Sequence, residues 1–274
     1  MTAEPVRVSP PWLRLREPAD AAARSATLAS RLKDLLPQGR PAVIHDLGCG
    51  SGAMTRWLAP QLPGPQHWVL YDRDEELLSV ALGHPVPASS DGIAVSREPR
   101  LLDLRGLQPH DLDGASLVTA SALVDLLTAT ELRQLVGVCV AADCPALVTL
   151  SVVGRVRLLP WHRLDGPLSE AFNRHQQRTV GGRTLTGPQG VDVVATEFAR
   201  AGLQVLDEAS DWCLDSAQAP LIAEWLTGWT QAACEQAPDL ADPTAAYLRR
   251  RLDQAYAGQL QVTVGHRDLL AVPR

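Results

Sequence analysis

The sequence predicts an α/β fold: one doubly wound, mostly parallel seven-stranded sheet with helical insertions. Three observations predict it. Short apolar runs alternate with segments of helical spacing through most of the 274 residues. A glycine-rich stretch, residues 46–52, lies between the first run and the next helix. Two late stretches, residues 154–190 and 215–258, interrupt the alternation.

The elements follow in order. Residues 18–36 read as one helix: Pro18 suits a first turn, and Leu28, Leu32, Leu35 and Leu36 recur at helical spacing before residues 37–39 stop it. Residues 42–47 are a buried strand, and Met54, Trp57 and Leu58 resume a helix. A second strand at 67–71 closes on Asp72, with a helix over 75–82. A third strand lies near residues 100–102, a fourth at 115–120, then a helix over 131–140 and a fifth, most apolar strand at 146–153. Residues 191–201 form a helix with Gly202 as its C-cap, and residues 203–206 and 260–272 supply the last strands. In the second insertion Leu221, Trp225 and Trp229 share a helix face as core, and Asp242-Pro243 opens another helix. With no internal repeat and no low-complexity linker, the expectation is a helical segment at 1–40 acting as a lid and one domain over 41–274 carrying both insertions.

Composition narrows the function. Hydrophobic residues make up 46% and charged residues 20%, the balance of a globular protein, and the net charge of −6 disfavours a nucleic-acid partner. Arg249, Arg250 and Arg251 read as a solvated helix face. No run of 18 apolar residues predicts a membrane span, and residues 1–10 lack a signal-peptide core. Cys49, Cys139, Cys144, Cys213 and Cys234 are scattered without metal-ligand spacing, so no metal is expected, and reduced thiols fit a cytoplasmic protein. Lys33 is the one lysine against many arginines, a bias of GC-rich bacterial genomes.

The string Asp46-Leu47-Gly48-Cys49-Gly50-Ser51-Gly52 is the most informative. Its glycines let the backbone turn tightly and approach a ligand. Asp72, at the end of the second strand, is placed to accept both hydroxyls of a ribose, and Asp103, after the third, to receive an adenine amino group. Here the sequence resembles the class I S-adenosylmethionine-dependent methyltransferases, whose first motif, an acidic residue followed by Leu-Gly-x-Gly-x-Gly, is matched by residues 46–52. The resemblance covers residues 40–153 well and implies a Rossmann-like methyltransferase fold with S-adenosyl-L-methionine as cofactor. It implies that Gly48, Cys49, Gly50 and Gly52 line the cofactor with Asp46 near its amine. Asp72 and the adjoining Arg73 take the ribose, Asp103 and Leu104 border the adenine, and Ser121 and Ala122 pass under the cofactor.

Gly48, Gly50 and Ala53 also satisfy the dinucleotide fingerprint Gly-x-Gly-x-x-Gly/Ala, so an NAD(P)-dependent oxidoreductase is the alternative. Against it stand the charge of Asp46, which would face a pyrophosphate, the extra Gly52, and the long helical leader. A non-catalytic protein keeping the cofactor site is a third reading. The nucleic-acid methylases' Asn/Asp-Pro-Pro-Tyr/Phe motif is absent, so the expected acceptor is a small molecule; a homodimer is compatible with the insertions.

Catalytic candidates sit in loops after the strands. His175 and His162, in the first insertion, read as bases near neutral pH or as surface and capping histidines. Asp125 faces the cleft or begins the next helix. Arg178 and Arg183 clamp an acidic group or are solvated. Glu17, Asp20 and Arg24 share a helix face with Arg16 beside them, as an intrahelical ion pair or as lid charges meeting substrate. His45 reads as a packed core histidine.

Overall fold

A computed structural model describes residues 8–37 and 39–274. The signal-free reading of residues 1–7 and Gln38 of the first helix stop lie outside the described residues. In chain order the elements are α1 (Pro10–Ala23), α2 (Ala26–Leu35), β1 (Ala42–Leu47), α3 (Ala53–Leu58), β2 (Gln66–Asp72), α4 (Glu75–Gly83), β3 (Val95–Leu101), β4 (Leu117–Ser121) and α5 (Ala129–Ala141). Then come β5 (Ala146–Leu159), α6 (Asp165–Gln176), β6 (Thr179–Val180), β7 (Arg183–Thr184), α7 (Gly190–Arg200), β8 (Gln204–Ala209), β9 (Trp212–Leu214), α8 (Ala219–Gln236), α9 (Ala241–Tyr256) and β10 (Gln261–Val272).

The sheet runs β3-β2-β1-β4-β5-β10-β8, with β9 joined to the side of β10. The five strands from β3 to β5 are mutually parallel, whereas β10 is antiparallel to both its neighbours. The expected seven-stranded, mostly parallel sheet is therefore present, with β9 as a short addition. Helices α2, α3 and α4 pack Leu28, Leu32, Met54, Leu58 and Leu78 on one face against Ile44, Trp68 and Leu70. On the other, α5 and α7 pack Leu132, Val136, Val194 and Phe198 against Leu47, Val118 and Val148. A third apolar cluster joins α8 and α9 to β9 and the outer half of β10, and there Trp225 and Trp229 stack 5.1 Å apart.

Two expectations change. The helix read over 18–36 is two helices: Ser25 accepts from Leu28 N–H and so caps α2, and α1 begins at Pro10 with Pro18 in its interior rather than at its start. The strand read as ending at Val153 continues to Leu159, because Val156 and Leu158 turn inward while Arg155 and Arg157 point to solvent, the period-two pattern of a half-buried strand. Within the first insertion, Gly181 and Gly182 take φ of 57° and 78°, the left-handed pair required by the two-residue β6–β7 turn. Among the described residues no helix is long and apolar enough to cross a membrane.

Candidate cofactor and active site

Strand β1 delivers Asp46 to the carboxyl end of the sheet, beside Thr119 of β4, its partner in the parallel register. Asp46 is 1% exposed. Its Oδ1 accepts from Thr119 Oγ1 at 2.8 Å, while Oδ2 is buried without a partner. Burial pushes this carboxyl up to about 7, against the opposing pull of the Thr119 hydrogen bond.

The chain then leaves the strand through Gly48, Gly50 and Gly52, at φ of 68°, 53° and 79°. All three are left-handed, which only glycine adopts without strain. A Cβ on Gly48 would lie 3.1 Å from Leu123, and one on Gly50 would lie 3.3 Å from Leu13 of α1. Cys49 is buried between them, its thiol pushed up by desolvation and by the charges of Asp46 and Asp72, and so kept neutral. Asp72, ending β2, is fixed by two backbone donors: Gly50 N–H to Oδ2 at 2.9 Å and Asp74 N–H to Oδ1 at 3.0 Å. A carboxylate has about four lone-pair sites, so two remain.

Leu104 borders the same loop at Gly48, and Asp103 precedes it in the turn after β3. Asp103 caps the following turn through Arg105 N–H and pairs with the Arg105 guanidinium, which holds its carboxyl down at about 2. Arg73 is exposed, and its charge adds to that lowering. Ser121, ending β4, accepts from Thr149 Oγ1 at 3.0 Å. Ala122 next to it takes φ of 51°, a left-handed conformation that a non-glycine residue holds at a cost of about 1–2 kcal/mol. The structure thus gathers the cofactor candidates at one end of β1, β2 and β4.

Helix α1 lies across this end. Leu13 meets Gly50, and Glu17 bonds Arg56 of α3 through both oxygens at 2.7 and 2.6 Å. Arg56 also donates to Ser51 O in the glycine loop at 2.7 Å. On the far side Arg16 and Asp20 form the intrahelical pair, and Asp20 accepts from Trp212 Nε1 at 3.0 Å. The intrahelical pair is thus Arg16 with Asp20, while Glu17 reaches Arg56 of α3.

The catalytic candidates separate. Asp125 lies in a turn after β4, half-buried, its carboxyl pushed up to about 6 by burial although Arg16 of α1 opposes this. The two histidines hold the accessory helices together. His162 accepts from Leu164 N–H at 3.2 Å through Nδ1, and its ring sits 5.0 Å from Tyr247 of α9. His175 Nε2 bonds Glu235 of α8 at 3.1 Å, with Arg178 against Nδ1. Their partners come from the insertions, not from the glycine loop. Arg183 bonds Glu131 at the start of α5 through both oxygens, and His45 is a core residue bonded to Tyr71 at 3.1 Å and pushed down to about 4 by burial.

Sequence reasoning missed three residues. Asp268 of β10, fully buried, accepts from Ser25 N–H at 2.8 Å and Leu150 N–H at 2.7 Å, pinning the α1–α2 break to the sheet. Thr119 orients Asp46. Arg24, read only as a helix-face charge, is 5% exposed and donates through Nη2 to Ser121 at 3.1 Å. The Ser25 N-cap was the available signal, since a helix break there turns Arg24 inward.

No family model matches the chain, and no curated protein does. Among solved structures, the cyclopropane synthase MmaA2 from Mycobacterium tuberculosis is similar over 96% of this chain and 94% of that one, at 13% identity and a TM-score of 0.50. The chain has a Rossmann-like methyltransferase fold. The plantazolicin methyltransferase BpumL in complex with SAH is similar over 96% of this chain and 86% of that one, at 11% identity and a TM-score of 0.46. A SAM-dependent methyltransferase from Geobacter sulfurreducens in complex with S-adenosyl-L-homocysteine is similar over 97% and 99%, at 15% identity and a TM-score of 0.44. The strand order itself departs from the dinucleotide order 3-2-1-4-5-6, because antiparallel β10 stands between β5 and β8.

Proposed function

We propose that this chain is an S-adenosyl-L-methionine-dependent methyltransferase acting on a small-molecule acceptor, with α1 as the lid of its site. Asp46 carries the reading: a buried carboxylate oxygen without a partner, at the mouth of a three-glycine loop. Leaving a buried acceptor unpaired costs about 1–3 kcal/mol, and an ammonium group on the ligand removes that cost. Asp72, oriented by Gly50 and Asp74, retains lone pairs for a ribose diol. Leu104 and Leu123, both against Gly48, make apolar walls for a flat base, with Asp103, held by Arg105, preceding Leu104 in the chain. A pyrophosphate suits this site poorly, since Asp46 would face like charge.

The cofactor, when bound, supplies an electrophilic methyl group that an acceptor takes by in-line displacement. The protein's part is to align the acceptor and keep water out. Helix α1, clamped by Glu17 and Arg56 on one side and by Asp20 and Trp212 on the other, closes the site from above. Asp125, in the turn after β4 and raised toward neutrality by burial, is the proposed proton acceptor for the incoming nucleophile. The net charge of −6 supports a small acceptor over nucleic acid. All five cysteines are unpaired, which supports a reducing, cytoplasmic setting.

Calorimetric titration with S-adenosylhomocysteine and with NAD tests the reading. Binding of the former and not the latter is expected; the reverse preference overturns it.

A further inference from the structure

We infer that Arg24 holds the carboxylate of the cofactor's amino-acid group, making with Asp46 a two-charge clamp that selects a zwitterionic head group. The inference rests on the proposed cofactor. Arg24 follows the last residue of α1, and its guanidinium lies 5.3 Å from the centre of the Trp57 ring. One of its three nitrogens is bonded, to Ser121; Nε and Nη1, which carry three N–H donors, are buried without a partner. No carboxylate hydrogen-bonds it among the described residues, and Asp20, Asp268 and Asp46 act on its charge only from longer range. Asp20 serves Arg16 and Trp212, and Asp268 serves Ser25 and Leu150. Asp46 is bonded to Thr119.

A buried cation left this way is costly, and an incoming anion is what offsets the cost. The placement defines the anion. Arg24 bonds the last residue of β4, and Asp46 lies near the end of β1, its neighbour in the sheet. Adjacent strands are about 4.8 Å apart, so an unpaired cation and an unpaired carboxylate oxygen stand over one strand pair. An α-amino acid, with ammonium and carboxylate on a single carbon, satisfies both at once. The break between α1 and α2, capped by Ser25 and held by Asp268, is what sets Arg24 there.

Two ligands separate this role from a structural one: S-adenosylhomocysteine, and 5′-methylthioadenosine, which keeps the adenosine and lacks the amino acid. Hydrogen bonds to a charged group contribute about 1.5–3 kcal/mol, so Arg24→Gln is expected to weaken the first ligand by at least about tenfold. The second stays within about twofold, and Arg24→Lys recovers part of the loss. Equal weakening of both ligands, or of neither, overturns the inference and leaves the cofactor assignment standing. If Arg24→Gln does not fold, decarboxylated S-adenosylhomocysteine with the wild-type protein decides: binding at least about tenfold weaker than the parent ligand supports the clamp, and equal binding overturns it. Failure of the wild type to bind S-adenosylhomocysteine overturns the cofactor assignment and the clamp with it.

Discussion

Asp46, proposed here as a ligand group, is also a pH-sensitive one. Its carboxyl is raised by burial to about 7, against an ordinary value of 3.8. A raised acid favours the folded state fully below the unfolded value, and that contribution is lost as pH rises through the folded value. The ligand-free protein therefore loses stability relative to Asp46→Asn between about pH 4 and pH 8, by a few kcal/mol, measurable by denaturant unfolding. Ligand binding runs the other way, since an ammonium favours the ionised carboxylate. S-adenosylhomocysteine affinity is expected to rise from pH 6 to pH 8 in the wild type and stay flat in Asp46→Asn. A flat wild-type profile contradicts the role given to Asp46.

At the scale of elements, α1, the proposed lid, is tied to α3 by the pair between Glu17 and Arg56. These side chains are 27% and 16% exposed, so their attraction is partly screened, and a pair of this kind contributes about 1 kcal/mol. Glu17→Ala is expected to speed S-adenosylhomocysteine release about three- to tenfold in stopped-flow displacement; an unchanged release rate removes α1 from the role of lid. The glycine loop and its strand were legible because a tight backbone needs glycine, and the first two strands because each is a run of apolar residues ending in a carboxylate. The outer half of β5 was not legible. Arg155 and Arg157 read as loop charges until pairing with β10 turns alternate residues to solvent. Arg24 was hidden for a related reason: the adjoining Ser25 is held by Asp268, 243 residues away in the chain. No local pattern carries a contact of that range.

Over the whole molecule, the insertions pack as a buttress beside the sheet. Its centre is Arg251, read from sequence as part of a solvated face but buried here, with both Nη2 bonds at 2.8 Å to Asp165 and Nη1 bonds to the Pro160 carbonyl and Gln254. Tyr247 donates to the same Asp165 at 2.6 Å. Side chains 1% and 9% exposed make this a buried ion pair, and removing one partner leaves a buried charge, at a cost of about 3–5 kcal/mol. Arg251→Ala is expected to lose that much in denaturant unfolding while keeping S-adenosylhomocysteine affinity within about twofold; a comparable loss of affinity would join the buttress to the site. His162 and His175 take their partners within the same buttress.

The most direct measurement is a crystal structure of the wild-type protein with S-adenosylhomocysteine. The account predicts the ribose hydroxyls on Asp72, the amino group on the free oxygen of Asp46, and α1 closed over the ligand. A ligand bound elsewhere, or one in this cleft that leaves Asp46 and Asp72 untouched, contradicts it.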